Sequence, residues 1–322
     1  MAEAGLIIDS RGYRSTGNAY ESKESAFKIT EKFWDIIKRH IGKARIRTAA
    51  ASETIILKDS DKRLDDYTDT PHTIMLRKNL AKINEYTNSA RIKAPSGYED
   101  LQFRTNYHRV FNNSTFLHGG RFYGGFWTMI PRDARKHITI NENPTCELDY
   151  SSQSICIAYG LEGTTPPPGD LYAIPGYSAP HMRPVVKKAL TIALGSNNRT
   201  SALRALNWEN GIREITEEAE KSGTLTSAQI QDIKKVDAKK LLEAIENHHT
   251  DIKEYFYTKY AHIIQRLDSQ LAESIMLCAF SLGIPCLCLH DGFIVQEMHK
   301  ERMKDIMHKC FLEMFGIEPT IK

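Results

Sequence analysis

Residues 286–296, CLCLHDGFIVQ, constrain this chain more than any other stretch. Two apolar runs flank an Asp-Gly pair, the strongest short hairpin signal a sequence carries. The expectation is strand, turn, strand, with Gly292 making the tight reversal. That reversal puts one carboxylate, Asp291, at a strand end, where a rigid scaffold can aim it into a cleft. By itself the pair requires no function, because the turn alone accounts for it.

The chain has 322 residues, enough for one large domain or two ordinary ones. It is 41% hydrophobic and 26% charged, as globular proteins are. No apolar run approaches the roughly 20 residues that span a bilayer. The N-terminal MAEAGLIIDSRGYRS lacks the basic lead and apolar stretch of a secretory signal. Six scattered cysteines form neither a disulfide framework nor a CxxC zinc pair, and Cys286 and Cys288 read as core thiols. The expectation is a cytoplasmic, monomeric protein. A net charge of +3 and a pI near 8.4 permit a nucleic-acid partner without requiring one. Basic residues cluster locally: Lys38, Arg39, Lys43, Arg45 and Arg47; Arg132, Arg135 and Lys136; Arg183, Lys187 and Lys188. Each cluster alone reads as a solvated face. The last two lie close to acidic segments, which favours phosphate contacts.

The first 20 residues are polar and read as loosely held. SAFKITEKFWDIIKRHI and TPHTIMLRKNLAKINEYTNSARI carry helical spacing. FLHGGRFYGGFWTMIP has the Gly and aromatic content of strands and turns. A short strand at 145–149 leads into a helix-like run. RPVVKKALTIALG reads as a helix with Gly195 as its C-cap. A further helix starts at Thr226 or Ser227. Residues 236–281 read as helix broken near HHTD, and 298–316 as a closing amphipathic helix. The fold class is α+β, a small antiparallel sheet with helices on one face.

Asp149 ends the strand CELD, before the polar turn YSSQ. An Asp there is often a helix cap. Paired with Asp291 across adjacent strands, it can instead hold two divalent ions about 4 Å apart, the arrangement of in-line phosphoryl transfer. Magnesium suits such a site because it needs only one or two protein carboxylates. Between the two acids, Arg183 and Lys187 are four apart on one helical face, where two cations can clamp a triphosphate. Glu147, two residues before Asp149, can face the same cleft. His248 and His249 read better as a solvated helix break than as metal ligands. Trp34, Trp127 and Trp208 read better as core than as base-stacking residues. No GxxxxGK[ST], GxSxG or HExxH motif is present.

Taken in this order, the segments resemble the superfamily that joins family A DNA polymerases with phage-type and mitochondrial single-subunit RNA polymerases. ELDYSSQSICIAYG resembles its motif A, RPVVKKALTIALG its motif B, and LCLHDGFIV its motif C. GGRFYGG is similar to the segment before motif A in the RNA polymerase branch, GDLYAIPGY to the Asp-aromatic segment between A and B, and RLDSQLAESIMLCAF to the helix before motif C. The resemblance runs from roughly residue 116 to 312. It implies a right-hand palm at 111–160 and 261–322 with a helical fingers insertion at 161–260; residues 1–110 resemble no known family and read from their pattern as a helical N-terminal module, thumb-like or accessory. It implies two Mg2+ ions, with Mn2+ as a substitute, on Asp149, Asp291 and the Tyr150 carbonyl. Arg183 and Lys187 match the phosphate-holding residues, Lys187 as proton donor to the leaving pyrophosphate, with Lys188 the alternative one register along. His290 matches a residue near the primer end. Arg121 matches one near template or primer backbone, and the cluster Arg132, Arg135 and Lys136 is a further candidate nucleic-acid contact.

Two departures stand out. Where the DNA polymerases carry a Glu that blocks a ribose 2′-OH, this chain has Ser154, as the RNA polymerase branch has a small residue. Losing a clash permits a substrate without demanding it. Leu194 replaces the aromatic before the motif B Gly, and the spacing from Lys to Gly is one residue short. The resemblance therefore implies template-directed nucleotide transfer from nucleoside triphosphates, leaning toward RNA synthesis or priming. DNA synthesis on short gaps or mobile-element intermediates is the alternative, and a non-catalytic nucleic-acid-binding factor is the alternative from another class.

Overall fold

A computed structural model describes residues 7–10, 26–40, 53–207 and 211–322. The chain divides into two compact units, Met1–Ser52 and Glu53–Lys322. In the first, β1 (Ile7–Ser10) pairs antiparallel with β2 (Ala26–Ile29), and α1 (Glu31–His40) follows. The helix expected from Ser25 onward thus begins only at Glu31. The four residues AFKI fit either period, and pairing with a distant strand decides. Ile41, Lys43, Arg45, Arg47 and Trp208 lie outside the described residues, as do most of the first 20 and the side chains of Trp34, Lys38 and Arg39.

The second unit is α+β. It opens with β3 (Ile55–Leu57), α2 (Pro71–Ser89), β4 (Ile92–Lys93), β5 (His108–Asn112) and β6 (Thr115–Tyr123). Thr70 caps α2 in a reciprocal box with Thr73, and Pro71 occupies the first turn, where its missing N–H costs nothing. Next come α3 (Arg132–Arg135), β7 (Thr139–Ile140), β8 (Asn143–Asp149) and α4 (Gln153–Glu162). An insert of helices follows: α5 (Arg183–Gly195), α6 (Arg199–Leu206), α7 (Arg213–Ser222), α8 (Ser227–Lys234) and α9 (Ala238–His248). Thr226 caps α8 as its side chain predicts. Gly195 is the last turn of α5 rather than its cap, which is Ser196. The chain closes with α10 (Ala261–Ser281), β9 (Cys286–Leu289), β10 (Gly292–Gln296) and α11 (Lys300–Phe315).

Two sheets carry the unit. One has the order β4-β7-β8-β10-β9 with every pairing antiparallel; the other is β3-β5-β6, with β3 parallel to β5. Helix α10 joins them, packing on β6, β9, α2, α4, α5 and α11. Its apolar positions Ile264, Leu271, Ile275 and Ala279 recur at helical spacing and are buried. Residues 53–110 share this unit, since β3 extends the β5-β6 sheet and α2 packs on α10.

Several polar residues are core. Trp127 is fully buried and donates its indole N–H to the Cys288 carbonyl at 2.9 Å. Cys286 and Cys288 are buried free thiols. His249 is not part of a solvated break. It is fully buried, with Nδ1 3.0 Å from the Tyr159 hydroxyl and Nε2 3.0 Å from the Leu171 carbonyl, and burial lowers its pKa to about 4. No described helix is long and apolar enough to cross a membrane.

Candidate active site

The hairpin turns one residue earlier than its Asp-Gly pair predicts. Leu289 stands opposite Gly292, so the loop is His290–Asp291. His290 supplies the left-handed φ of +58°, whereas Gly292 lies in the strand without a positive φ. Glycine is needed there for close approach instead. Gly292 is the register partner of Asp149, and a Cβ on it would sit 2.9 Å from the Leu148 carbonyl oxygen and 3.4 Å from Asp149 Oδ1. A backbone oxygen cannot swing aside, so Gly292→Ala pushes β8 and β10 apart. We expect it to cost about 1–3 kcal/mol of stability by urea unfolding.

The opposite edge of β8 is covered by the chain's last residues. Asp149 N–H donates to the Lys322 carbonyl at 3.2 Å, Lys322 N–H to the Asp149 carbonyl at 2.9 Å, and Ser151 N–H to the Thr320 carbonyl at 2.8 Å. Tyr150 forms an antiparallel bridge with Ile321. Because backbone groups alternate along a strand, those of Tyr150 face away from this tail, toward the His290–Asp291 turn. The Tyr150 side chain is buried and donates its hydroxyl to the Met307 carbonyl of α11 at 2.6 Å. Ser152, with φ +53°, then swings the chain into α4.

Asp149 and Asp291 line one cavity of about 300 Å³. Tyr150, Ser154, Arg121, Arg183, Lys187, Leu194 and Lys322 also line it. The helical phase of α5 aims Arg183 and Lys187 there. Lys188 points elsewhere and donates to Glu214 at 2.7 Å, so the register alternative lies outside the cavity. Arg183 is held by Asp170 at 2.6 Å and stacks 4.8 Å over the Tyr172 ring, which gives the Asp-aromatic segment 170–172 a concrete role. Arg121 of β6 is held by the buried Asp268 of α10 at 2.9 Å.

Burial first, then the charges of Asp291 and Glu147, push the Asp149 carboxyl up to about 6 against the pull of Lys187 and Arg132. Burial raises Asp268 to about 6 as well, despite Arg121. Asp149 Oδ1 is buried and accepts no hydrogen bond. An oxygen like that is costly unless something pairs with it. Among the described residues no three His, Cys, Asp or Glu side chains converge into a closed metal cage. Magnesium does not need one: it keeps its waters and takes one or two carboxylates. Asp149 with its unpaired oxygen, and Asp291 beside it, fit that requirement.

Other sequence candidates lie apart from the cavity. Arg135 grips Glu147 through Nε at 2.9 Å and Nη2 at 3.1 Å, and Arg132 stands 3.9 Å from the same carboxylate. Lys136 pairs with Asp133 at 3.8 Å. Glu147 is thus neutralised by arginine rather than presented beside Asp149. His290 is half-buried beside Tyr123, with Nδ1 unpaired, and burial and Arg121 lower its pKa while Asp291 opposes them. The sequence reading missed Lys322. No local pattern marks it, because a tail brings it back across more than 170 positions to Asp149.

No protein-family model matches the chain, and no curated protein matches it. Among solved structures, the chain is similar to the POL domain of Pol1 from M. smegmatis in complex with DNA primer-template and dNTP. The identity is 12% and the TM-score 0.34, with 68% of this chain and 47% of that one covered. The alignment thus spans about half of that polymerase chain, and at this TM-score the likeness carries no argument.

Proposed function

We propose that this protein is a template-directed nucleotidyltransferase that extends a 3′-OH with nucleoside triphosphates. One observation carries the reading. Two carboxylates from the ends of paired strands, one with an orphaned buried oxygen, share a cavity with Arg183 and Lys187 of a single helix. Magnesium bound by Asp149 and Asp291, or manganese in its place, would neutralise phosphate charge and favour an in-line displacement. Arg183, already oriented by Asp170 and Tyr172, binds the triphosphate. Lys187, one turn on, holds its far end and donates a proton to the departing pyrophosphate. Arg121, locked by Asp268, meets the template or primer backbone. In this reading 111–160 and 261–322 serve as palm, 161–260 as fingers and 1–110 as an accessory module.

Ser154 lines the cavity with an exposed, small side chain, which favours acceptance of ribonucleotides. Synthesis of DNA is the second reading, since absence of a block excludes neither sugar. The test is a primed template with magnesium and either set of nucleoside triphosphates, with an unprimed template alongside. Extension that is lost in Asp149→Ala and Asp291→Ala supports the proposal. No extension with either set sinks it and leaves a nucleic-acid-binding factor. Ser154→Glu is expected to lower ribonucleotide kcat/KM by about a hundredfold relative to deoxyribonucleotide, the size of effect a steric pocket achieves. An unchanged ratio removes Ser154 from sugar selection.

A further inference from the structure

Four basic residues line the cavity, Arg121, Arg183, Lys187 and Lys322, together with Asp149 and Asp291. Two of the cations are already engaged: Arg121 by Asp268 and Arg183 by Asp170. Lys187 and Lys322 make no ion pair with a described residue. The backbone of Lys322 is also fixed. Its N–H and C=O exchange hydrogen bonds with the C=O and N–H of Asp149, at 2.9 and 3.2 Å. Thr320, two residues earlier, accepts from Ser151 at 2.8 Å. The tail therefore extends the sheet along the half of β8 that β7 leaves uncovered, since β7 pairs only with Asn143 and Pro144. With its backbone locked, only the side chain of Lys322 remains to be ordered on binding, which lowers the entropic cost of contact. Its charge reaches Asp170, the acid that holds Arg183, so its ammonium shares the field of that end of the cavity.

We propose that Lys322 is a further polyphosphate-binding residue of this site, placed there by the strand Thr320–Lys322. The inference rests on the nucleotidyltransferase reading for its substrate, a nucleoside triphosphate, but its physical content is narrower. A cation anchored one backbone pair from Asp149 binds the anionic chain that Arg183 and Lys187 also bind. A lysine suits this as a point charge at the rim, whereas the fixed fork of Arg183 orients.

The experiment compares wild type, Lys322→Gln and Lys322→Arg in the full chain. Calorimetric titration with inorganic tripolyphosphate in magnesium buffer measures binding without turnover. Steady-state primer extension gives KM and kcat. Lys322→Gln is expected to weaken tripolyphosphate about tenfold and to raise the nucleotide KM by a similar factor, with kcat within about threefold. Lys322→Arg restores most of the affinity because the charge returns. Unfolding midpoints within experimental error of wild type show that the tail strand remains paired. Tripolyphosphate affinity within twofold of wild type in Lys322→Gln overturns the inference, as does a wild type that does not bind tripolyphosphate. A wild type that binds but extends no primer overturns the proposed function and leaves this inference standing. A wild type that extends primers while Lys322→Gln keeps its KM overturns this inference alone.

Discussion

On the proposed function, Asp149→Asn is expected to abolish nucleotide addition and to leave a more stable fold. The loss follows from geometry: Asp149 is half of the carboxylate pair, and its amide replacement cannot neutralise a cation. Charge neutralisation at such a centre supplies several kcal/mol, so kcat falls by about a thousandfold or more. Asp291→Asn is expected to have the same effect on activity. The gain in stability follows from electrostatics. In the folded, metal-free protein the Asp149 carboxyl is raised from 3.8 to about 6 by burial and by Asp291 and Glu147. A group raised in this way stabilises the fold below its unfolded pKa and loses that contribution as pH climbs through the folded value. Asn and Asp should therefore be equally stable near pH 4. The variant pulls ahead between roughly pH 4 and 6 and keeps a constant lead above. Two pKa units set a ceiling of roughly 3 kcal/mol, and solvent screening at this half-buried carboxylate reduces it to about 1–2 kcal/mol. Urea unfolding of both proteins in chelator, from pH 4 to 8, measures the difference. A variant less stable than wild type at pH 7 contradicts the account, as does one that retains extension.

The stability gain has a functional meaning. On the proposed function, a bound cation would relieve a carboxylate that otherwise burdens the fold, so the same burial that raises Asp149 would sharpen its demand for a metal. Gly292 serves the same end by allowing the hairpin close to Asp149, at the expense of a side chain that would pack between the strands.

What could be read in advance depended on how far each signal reached along the chain. The i, i+4 spacing of Arg183 and Lys187 is local, and α5 does aim both into the cavity while Lys188 turns away to Glu214. The caps at Thr70 and Thr226 are local too. The hairpin at 286–296 was legible, but its turn was misplaced by one residue. Asp-Gly is the usual loop dipeptide, and nothing near it reveals that Leu148 across the sheet needs the space a side chain would fill. Long-range pairings were invisible: β1 with β2, which converts Ala26–Ile29 to strand; Arg135 with Glu147, which withdraws both; His249 with Tyr159 and Leu171, which makes a polar pair core; and the tail with Asp149. In each, partners distant in sequence satisfy groups that look free when read alone.

Glu273→Ala is expected to cost about 3–5 kcal/mol of folding stability, the range for removing one partner of a buried ion pair. Arg109 of β5 is 1% exposed. It pairs with Glu273 of α10, donates to the Gly120 carbonyl at 2.8 Å and Ser269 Oγ at 3.1 Å, and lies 4.7 Å over the Phe122 ring. Asn79 of α2 completes the carboxylate at 2.6 Å. Without Glu273 a buried positive charge keeps neutral hydrogen bonds but loses its counter-charge. Replacing both partners by apolar residues, as in Arg109→Met with Glu273→Leu, removes the stranded charge and should recover most of the loss. Urea unfolding of the two single variants and the double variant tests this, and a Glu273→Ala cost below about 1 kcal/mol contradicts it. On the proposed function the pair also bears on substrate binding. Gly120, which Arg109 holds, precedes Arg121 in β6, and α10 supplies both Glu273 and the Asp268 that fixes Arg121. Weakening the β6–α10 seam at Glu273 therefore loosens Arg121. Under folded conditions Glu273→Ala should weaken primer-template binding while leaving tripolyphosphate affinity, which the proposals assign to α5 and Lys322, close to wild type.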